Sequence, residues 1–340
     1  MFVWRRNSLF FQLISVLFLP LSLLYLLAIT FKKLFAVPLK YPSPIISIGN
    51  ITAGGTGKTP LVVYLAEKFQ LRRRRVVVLS SAAGICQKRN SAIKRDDEIC
   101  MLMEKFPGIT VGTKKKEKPE GPERPVKPEK DIILIDDGFQ SYEIKRDLDI
   151  LTVDASNPFD NNFLLPAGLL REPVSCMKRA DVLIITHPYM VSESALDRLA
   201  ERLKRMGKPV YVMDYEIKSL NGKGEKLPPA IIENKEVIGV AGVGNPLNFF
   251  SLMLRLKPGK IHAMIYPDHF SYTGPDAGEI RLQYLEKKVH CLITTEKDYV
   301  KLKNFFHGEN VPLFYLEIEG RMKNFYEKYD FDTFLDSVIK

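Results

Sequence analysis

A single stretch, Gly49-Asn50-Ile51-Thr52-Ala53-Gly54-Gly55-Thr56-Gly57-Lys58-Thr59-Pro60, limits the folds open to this chain more than any other. It follows the apolar run Ile45-Ile46-Ser47-Ile48 and precedes Leu61 to Phe69, which has helical character. Strand, glycine-rich loop, Lys-Thr and helix together are the setting of a phosphate-binding P-loop. Glycines let backbone N–H groups turn inward on an anion, and the following helix adds the positive end of its dipole. The strict spacing asks for glycine at position 52, where this chain has Thr52. Residues Thr52, Ala53, Gly54, Gly55, Thr56, Gly57, Lys58 and Thr59 are therefore the expected nucleotide cradle. Lys58 would meet the β- and γ-phosphates of ATP, and the Thr59 hydroxyl would meet Mg²⁺.

Apolar runs alternate with helical patterns along the rest of the chain, which predicts an α/β fold with parallel sheets. The reading is a P-loop NTPase-like domain over residues 36–208, a smaller α/β domain over 209–340, and a membrane-associated helix within residues 1–35. Residues 8–31 carry no charged side chain and are flanked by Arg5, Arg6, Lys32 and Lys33. That is long enough to span a bilayer, although Pro20 would kink it and Gln12, Ser15 and Ser22 weaken it. A buried core helix is the alternative. The four cysteines are scattered with no C-x-x-C pair, which fits a reducing cytosol and gives no zinc or disulfide framework. The net charge of +10 suits an anionic membrane or a phosphorylated substrate. Nucleic acid is not expected as a partner, because much of the charge lies in Arg72–Arg75 and in the charged, Pro-rich residues 114–130, read as a mobile loop.

Asp131-Ile132-Ile133-Leu134-Ile135-Asp136-Asp137 is an apolar strand ending in acids, a Walker B pattern. Beside a P-loop such a strand tip reaches the Mg²⁺ shell, which makes Asp136 and Asp137 metal candidates and Glu172 a weaker one. Arg171 either binds phosphate or pairs with Glu172. Asp96, Asp97 and Glu98 sit at the start of an expected helix, where acids also serve as caps.

Several motifs together resemble the tetraacyldisaccharide 4′-kinase family: the loop above, Asp136-Asp137-Gly138-Phe139-Gln140, Leu165 to Pro173, Tyr266-Pro267-Asp268-His269-Phe270 and Thr294-Thr295-Glu296-Lys297-Asp298. They occur in the family's order over nearly the whole chain. The resemblance implies an enzyme at the cytoplasmic face of a bacterial inner membrane. It would move the γ-phosphate of ATP onto the 4′-hydroxyl of a tetraacylated disaccharide 1-phosphate, giving lipid IVA. The resemblance also implies that Asp97, partnered by His269, deprotonates that hydroxyl, with Lys58 and Arg171 supporting transfer. Departures fall at Ser81-Ala82-Ala83, at Asp96 and at Ser141, where the family has a histidine. The competing reading is a membrane-associated P-loop ATPase or GTPase switch with no sugar-lipid acceptor. No Asn-Lys-x-Asp guanine motif supports its GTPase form.

Overall fold

The computed structural model describes residues 15–80, 110–113, 131–308 and 310–339. Helix α1 (Leu19–Leu34) begins after a turn at Phe18, two residues before Pro20, where a proline's missing N–H interrupts a helical ladder. Ser22 is its only buried residue, while Leu21, Leu23, Leu24, Leu27, Phe31 and Leu34 face outward. The helix therefore has a polar contact inside and an apolar face outside, the reverse of a core helix. Among the described residues no helix is long and apolar enough to cross a membrane.

The chain divides into two compact units, with the boundary between Asp214 and Tyr215. In the first unit β1 (Ile45–Gly49) leads through the glycine loop into α2 (Lys58–Leu71). Strands β2 (Arg75–Ser80), β3 (Thr110–Thr113), β4 (Asp131–Asp136), β5 (Leu148–Asp154) and β6 (Val182–Thr186) follow, then α3 (Glu193–Lys204) and β7 (Val210–Gly222). The strand order is β7-β6-β5-β1-β4-β2-β3, and every pairing along it is parallel. Strands β1, β4, β5 and β6 are buried along their whole length, as expected of parallel strands covered on both faces. The central strand is β1, and the register Ile48↔Asp136 levels the glycine loop with the acidic tip of β4. Ligand sites in such sheets form at this carboxyl edge. Two arginines of the Arg72–Arg75 run are paired: Arg75 holds the buried Asp131 at 2.6 Å and Arg72 holds Asp336 at 2.9 Å.

The second unit, residues 215–321, contains the rest of β7, then β8 (Glu225–Leu227), β9 (Glu236–Ala241), α4 (Pro246–Leu254) and β10 (Lys260–Ile265). It continues with α5 (Gly274–Lys287), β11 (Leu292–Thr294), α6 (Glu296–Leu302) and β12 (Leu313–Lys323). Its strand order is β10-β9-β11-β12-β7, with β8 antiparallel to β7.

The sequence places everything after residue 208 in the second domain, whereas residues 322–339 belong to the first unit. The reason is α7 (Phe331–Val338), which buries Phe331 against the rings of Tyr211 and Tyr64, at 5.2 and 6.3 Å between centroids. Asp332, beside it, accepts from the Tyr64 hydroxyl at 3.1 Å and from Lys68 at 2.5 Å.

Candidate active site

Glycine is required at the end of β1 because a Cβ on Gly49 would lie 2.5 Å from the Cβ of Phe139. The chain then turns through Asn50, which is fully buried. Its side-chain amide donates to the Thr52 carbonyl at 2.6 Å, and its Oδ1 accepts from Lys58 Nζ at 3.2 Å. Gly54 and Gly57 take left-handed backbones, with φ of +112° and +73°. Thr52 has no positive φ, so nothing in its backbone demands the glycine of the strict pattern. Instead Thr52 forms an antiparallel bridge with Leu170. The Ala53 N–H donates to the Leu169 carbonyl at 2.7 Å, so this amide is spent on the protein rather than offered to a ligand.

Gly57 is the N-cap of α2 and brings no capping side chain. The first-turn N–H groups of α2 are thus left without a side-chain acceptor beside the exposed Gly54 and Gly55, the arrangement that suits a phosphate. The loop is fixed from below by two strand hydroxyls. Thr152 Oγ1 lies 2.9 Å from Thr56 Oγ1, and Thr186 Oγ1 donates to the Thr56 carbonyl at 3.0 Å. All three threonines are buried.

At the tip of β4, Asp136 is buried, and Asp137 follows with φ +54° and its carboxylate partly open. Arg171 Nη1 donates to both Asp137 oxygens, at 2.9 and 2.7 Å, and Lys58 Nζ lies 3.4 Å from Oδ1. Arg171 and Glu172 do not pair with each other. Glu172, 1 % exposed, is held by Arg179 at 2.6 and 2.8 Å and by the Gln140 amide at 2.8 Å. Burial opposes its ionisation, but the Arg179 bonds and charge, with Gln140, outweigh burial and hold its carboxyl below the usual range. The Arg179 guanidinium also lies over the Phe139 ring, 3.7 Å from its centroid, and donates to the Phe139 carbonyl at 2.7 Å. A metal at Glu172 would have to displace these partners.

Among the described residues no three His, Cys, Asp or Glu side chains converge as a metal cage. Mg²⁺ in phosphoryl transfer takes one or two carboxylates and completes its shell with phosphate oxygens and water. The residues fit that modest demand, because Asp136 and Asp137 sit at the strand tip and Thr59 in the first turn of α2. Asn50 and Gln140 lie inside the glycine-loop and Asp-Asp-Gly-Phe-Gln motifs, whereas Arg179, Thr152 and Thr186 carry no local signal in the sequence.

Asp97 lies outside the described residues, as do Asp96, Glu98, Ser81–Ala83 and residues 114–130. His269 belongs to the second unit, on a turn with φ +56° where its own N–H donates to Asp268 at 3.1 Å. Its Nε2 is 3.9 Å from the Asp268 carboxylate, and its side chain is exposed. The rings of Tyr266, Phe270 and Tyr272 pack on one another at 4.9–5.2 Å and brace this loop. The Thr294–Asp298 motif lies beneath it. Asp298, fully buried, accepts from Gly242 N and Thr295 Oγ1, both at 2.8 Å, with Tyr272 packed alongside.

Residues 14–340 match the family described as LpxK, tetraacyldisaccharide-1-P 4′-kinase. The chain belongs to this family. It is 32% identical over 309 residues to the tetraacyldisaccharide 4′-kinase of Halothermothrix orenii, covering 82% of this chain and 80% of that one. The corresponding protein of Chlorobium limicola is 33% identical over 313 residues, covering 85% and 87%. Among solved structures, LpxK from Aquifex aeolicus in complex with ATP aligns with a TM-score of 0.65 and 27% identity, over 96% of this chain and 98% of that one. The motifs that carry the resemblance and the match over residues 14–340 agree on the family.

Proposed function

We propose that this member of the tetraacyldisaccharide 4′-kinase family transfers the γ-phosphate of ATP to the 4′-hydroxyl of a tetraacylated disaccharide 1-phosphate. The observation that carries the reading is the cluster of Lys58, Asp137 and Arg171 at the mouth of an uncapped glycine loop. Phosphoryl transfer needs placed charge more than covalent chemistry, and this cluster supplies it. Lys58 and the loop amides hold the β- and γ-phosphates. Arg171 is tethered by a partly exposed carboxylate that it shares with Lys58, so it can exchange that partner for a phosphoryl oxygen. Asp136 or Asp137, with Thr59, would hold Mg²⁺, whose charge would offset that of the phosphates. The acceptor hydroxyl loses its proton to Asp97, partnered by His269, as the family resemblance implies.

The outward apolar face of α1, with Lys32 and Lys33 in its last turn, supports seating on an anionic bilayer surface at the cytoplasmic face of the inner membrane. The deciding experiment is radiolabelled ATP in detergent with and without the disaccharide acceptor. Label appearing in the lipid supports the kinase. Release of inorganic phosphate at the same rate without acceptor would favour the ATPase switch. Full transfer by Asp97→Ala would remove the assigned base.

A further inference from the structure

Helix α1 is joined to the Lys58–Asp137–Arg171 cluster by one buried hydroxyl. Ser22 is the residue that looks, by sequence, like a flaw in an apolar segment. Inside a helix a serine usually bonds the carbonyl four residues back. Ser22 Oγ does have Phe18 O at 3.3 Å, but its shorter bond, 2.9 Å, goes to the Leu164 carbonyl, 142 positions away. The same oxygen accepts from the Ala167 N–H at 3.2 Å. One side chain thus satisfies two backbone groups of the Leu164–Arg171 strap.

The strap has little freedom to absorb a change at that point. Leu165 N donates to Leu170 O at 2.8 Å, Leu170 N to Phe163 O at 3.1 Å and Gly168 N to Leu164 O at 2.9 Å. A Cβ on Gly168 would lie 2.1 Å from Asn161 Oδ1 and 2.2 Å from Phe163 O, so the turn is closed on itself. The far end of the strap is stitched to the glycine loop by Ala53 N to Leu169 O and Arg171 N to Ile51 O, both at 2.7 Å. It ends in Arg171, which holds Asp137. Farther along α1, burial pushes the Tyr25 hydroxyl up, with the Arg171 charge lowering it and Glu172 raising it.

We propose that Ser22 is a positioning residue: through the strap it ties the seating of α1 to the placement of Arg171 against Asp137. The inference rests on the kinase reading for its catalytic consequence, but its structural half is independent of that reading. Coupling of this kind requires a contiguous set of packed and bonded groups, which the strap supplies, and a direct test of the link.

The test uses the full chain in detergent, comparing wild type with Ser22→Ala, Ser22→Thr and, as a control on the same helix, Thr30→Ala. The Thr30 hydroxyl bonds the exposed turn of its own helix, at Leu26 O. Amide hydrogen exchange is read at Ala167 and Leu169–Arg171, beside kcat and KM for ATP. For Ser22→Ala, exchange at these amides should rise and kcat should fall, each about tenfold, as expected for a lost buried hydrogen bond that misplaces a reacting group. KM for ATP should stay within about twofold, since the glycine loop keeps its own supports. Ser22→Thr should restore both readouts, and Thr30→Ala should match wild type. Ser22→Cys, isosteric but a weak hydrogen bonder, gives the same comparison if the alanine variant does not fold. Unchanged exchange at Leu169–Arg171, or faster exchange with unchanged kcat, overturns the proposal. Absence of any transfer to the acceptor by wild type overturns the kinase reading instead; the exchange result then stands alone, and unchanged exchange again overturns the link.

Discussion

Two neighbouring arginine–carboxylate pairs meet at the carboxyl edge of the first unit, and they are built for opposite purposes. Arg171–Asp137 is about a quarter exposed on both sides, at 27% and 28%, and shares its carboxylate with Lys58. Arg179–Glu172 leaves only 2% of the glutamate side chain exposed, and its members are further bonded to Gln140 and the Phe139 carbonyl. Water competes for the Asp137 carboxylate and not for that of Glu172. The partly open pair can therefore exchange partners at little cost, while the buried Glu172 cannot lose its cation without stranding a charge. Consecutive residues, Arg171 and Glu172, thus serve a rearrangeable site and a rigid support.

The largest expected effect comes from breaking the support. Arg179→Ala leaves Glu172 buried without its cation and should cost about 3–5 kcal/mol in a denaturant titration. A loss near that of an exposed pair, under about 1 kcal/mol, would erase the contrast. Arg171→Ala should do the reverse. It should lower phosphoryl transfer about 10²–10³-fold, the range for losing one placed transition-state donor, while the unfolding midpoint barely moves. Arg171→Lys should recover part of the rate, because a lysine keeps the charge without the planar fork.

A smaller effect is set by pH at Glu172. The folded-state pKa of Glu172 is depressed below its ordinary value of 4.5, so its contribution to stability is present above that value. The contribution is lost as pH falls through the lowered folded value. Glu172→Gln should flatten this acid limb of stability, measured by thermal unfolding between neutral pH and the acid range. The smallest effect concerns the loop beneath both pairs. Thr152→Val removes the hydroxyl that meets Thr56 and should cost about 1 kcal/mol of stability with a raised KM for ATP. Thr152→Ser should behave as wild type in the same kinetic assay.

Much of the first unit can be read directly from the chain. The runs Ile45–Ile48, Ile132–Ile135 and Ile150–Val153 are largely apolar because parallel strands are buried on both faces. The glycine loop is legible because left-handed backbones at Gly54 and Gly57 leave a residue-type signature. The second unit is less legible. β7 and β12 run for 13 and 11 residues, well past the short apolar runs that announce them, because their later halves mix polar and apolar side chains. The return of α7 to the first unit had no local signal. Phe331 and Asp332 find Tyr211, Tyr64 and Lys68 only after the chain has folded.

Local backbone preference and short-range periodicity are enough to specify the parallel α/β sheet, the glycine loop and the acids at the tip of β4. Which side chains pair is settled only when the chain has folded. Arg171 turns to Asp137, Glu172 to Arg179, and Ser22 to a strap 142 positions away. Partner choice among charged and hydroxyl groups follows from distance and burial, and neither is encoded in spacing along the chain.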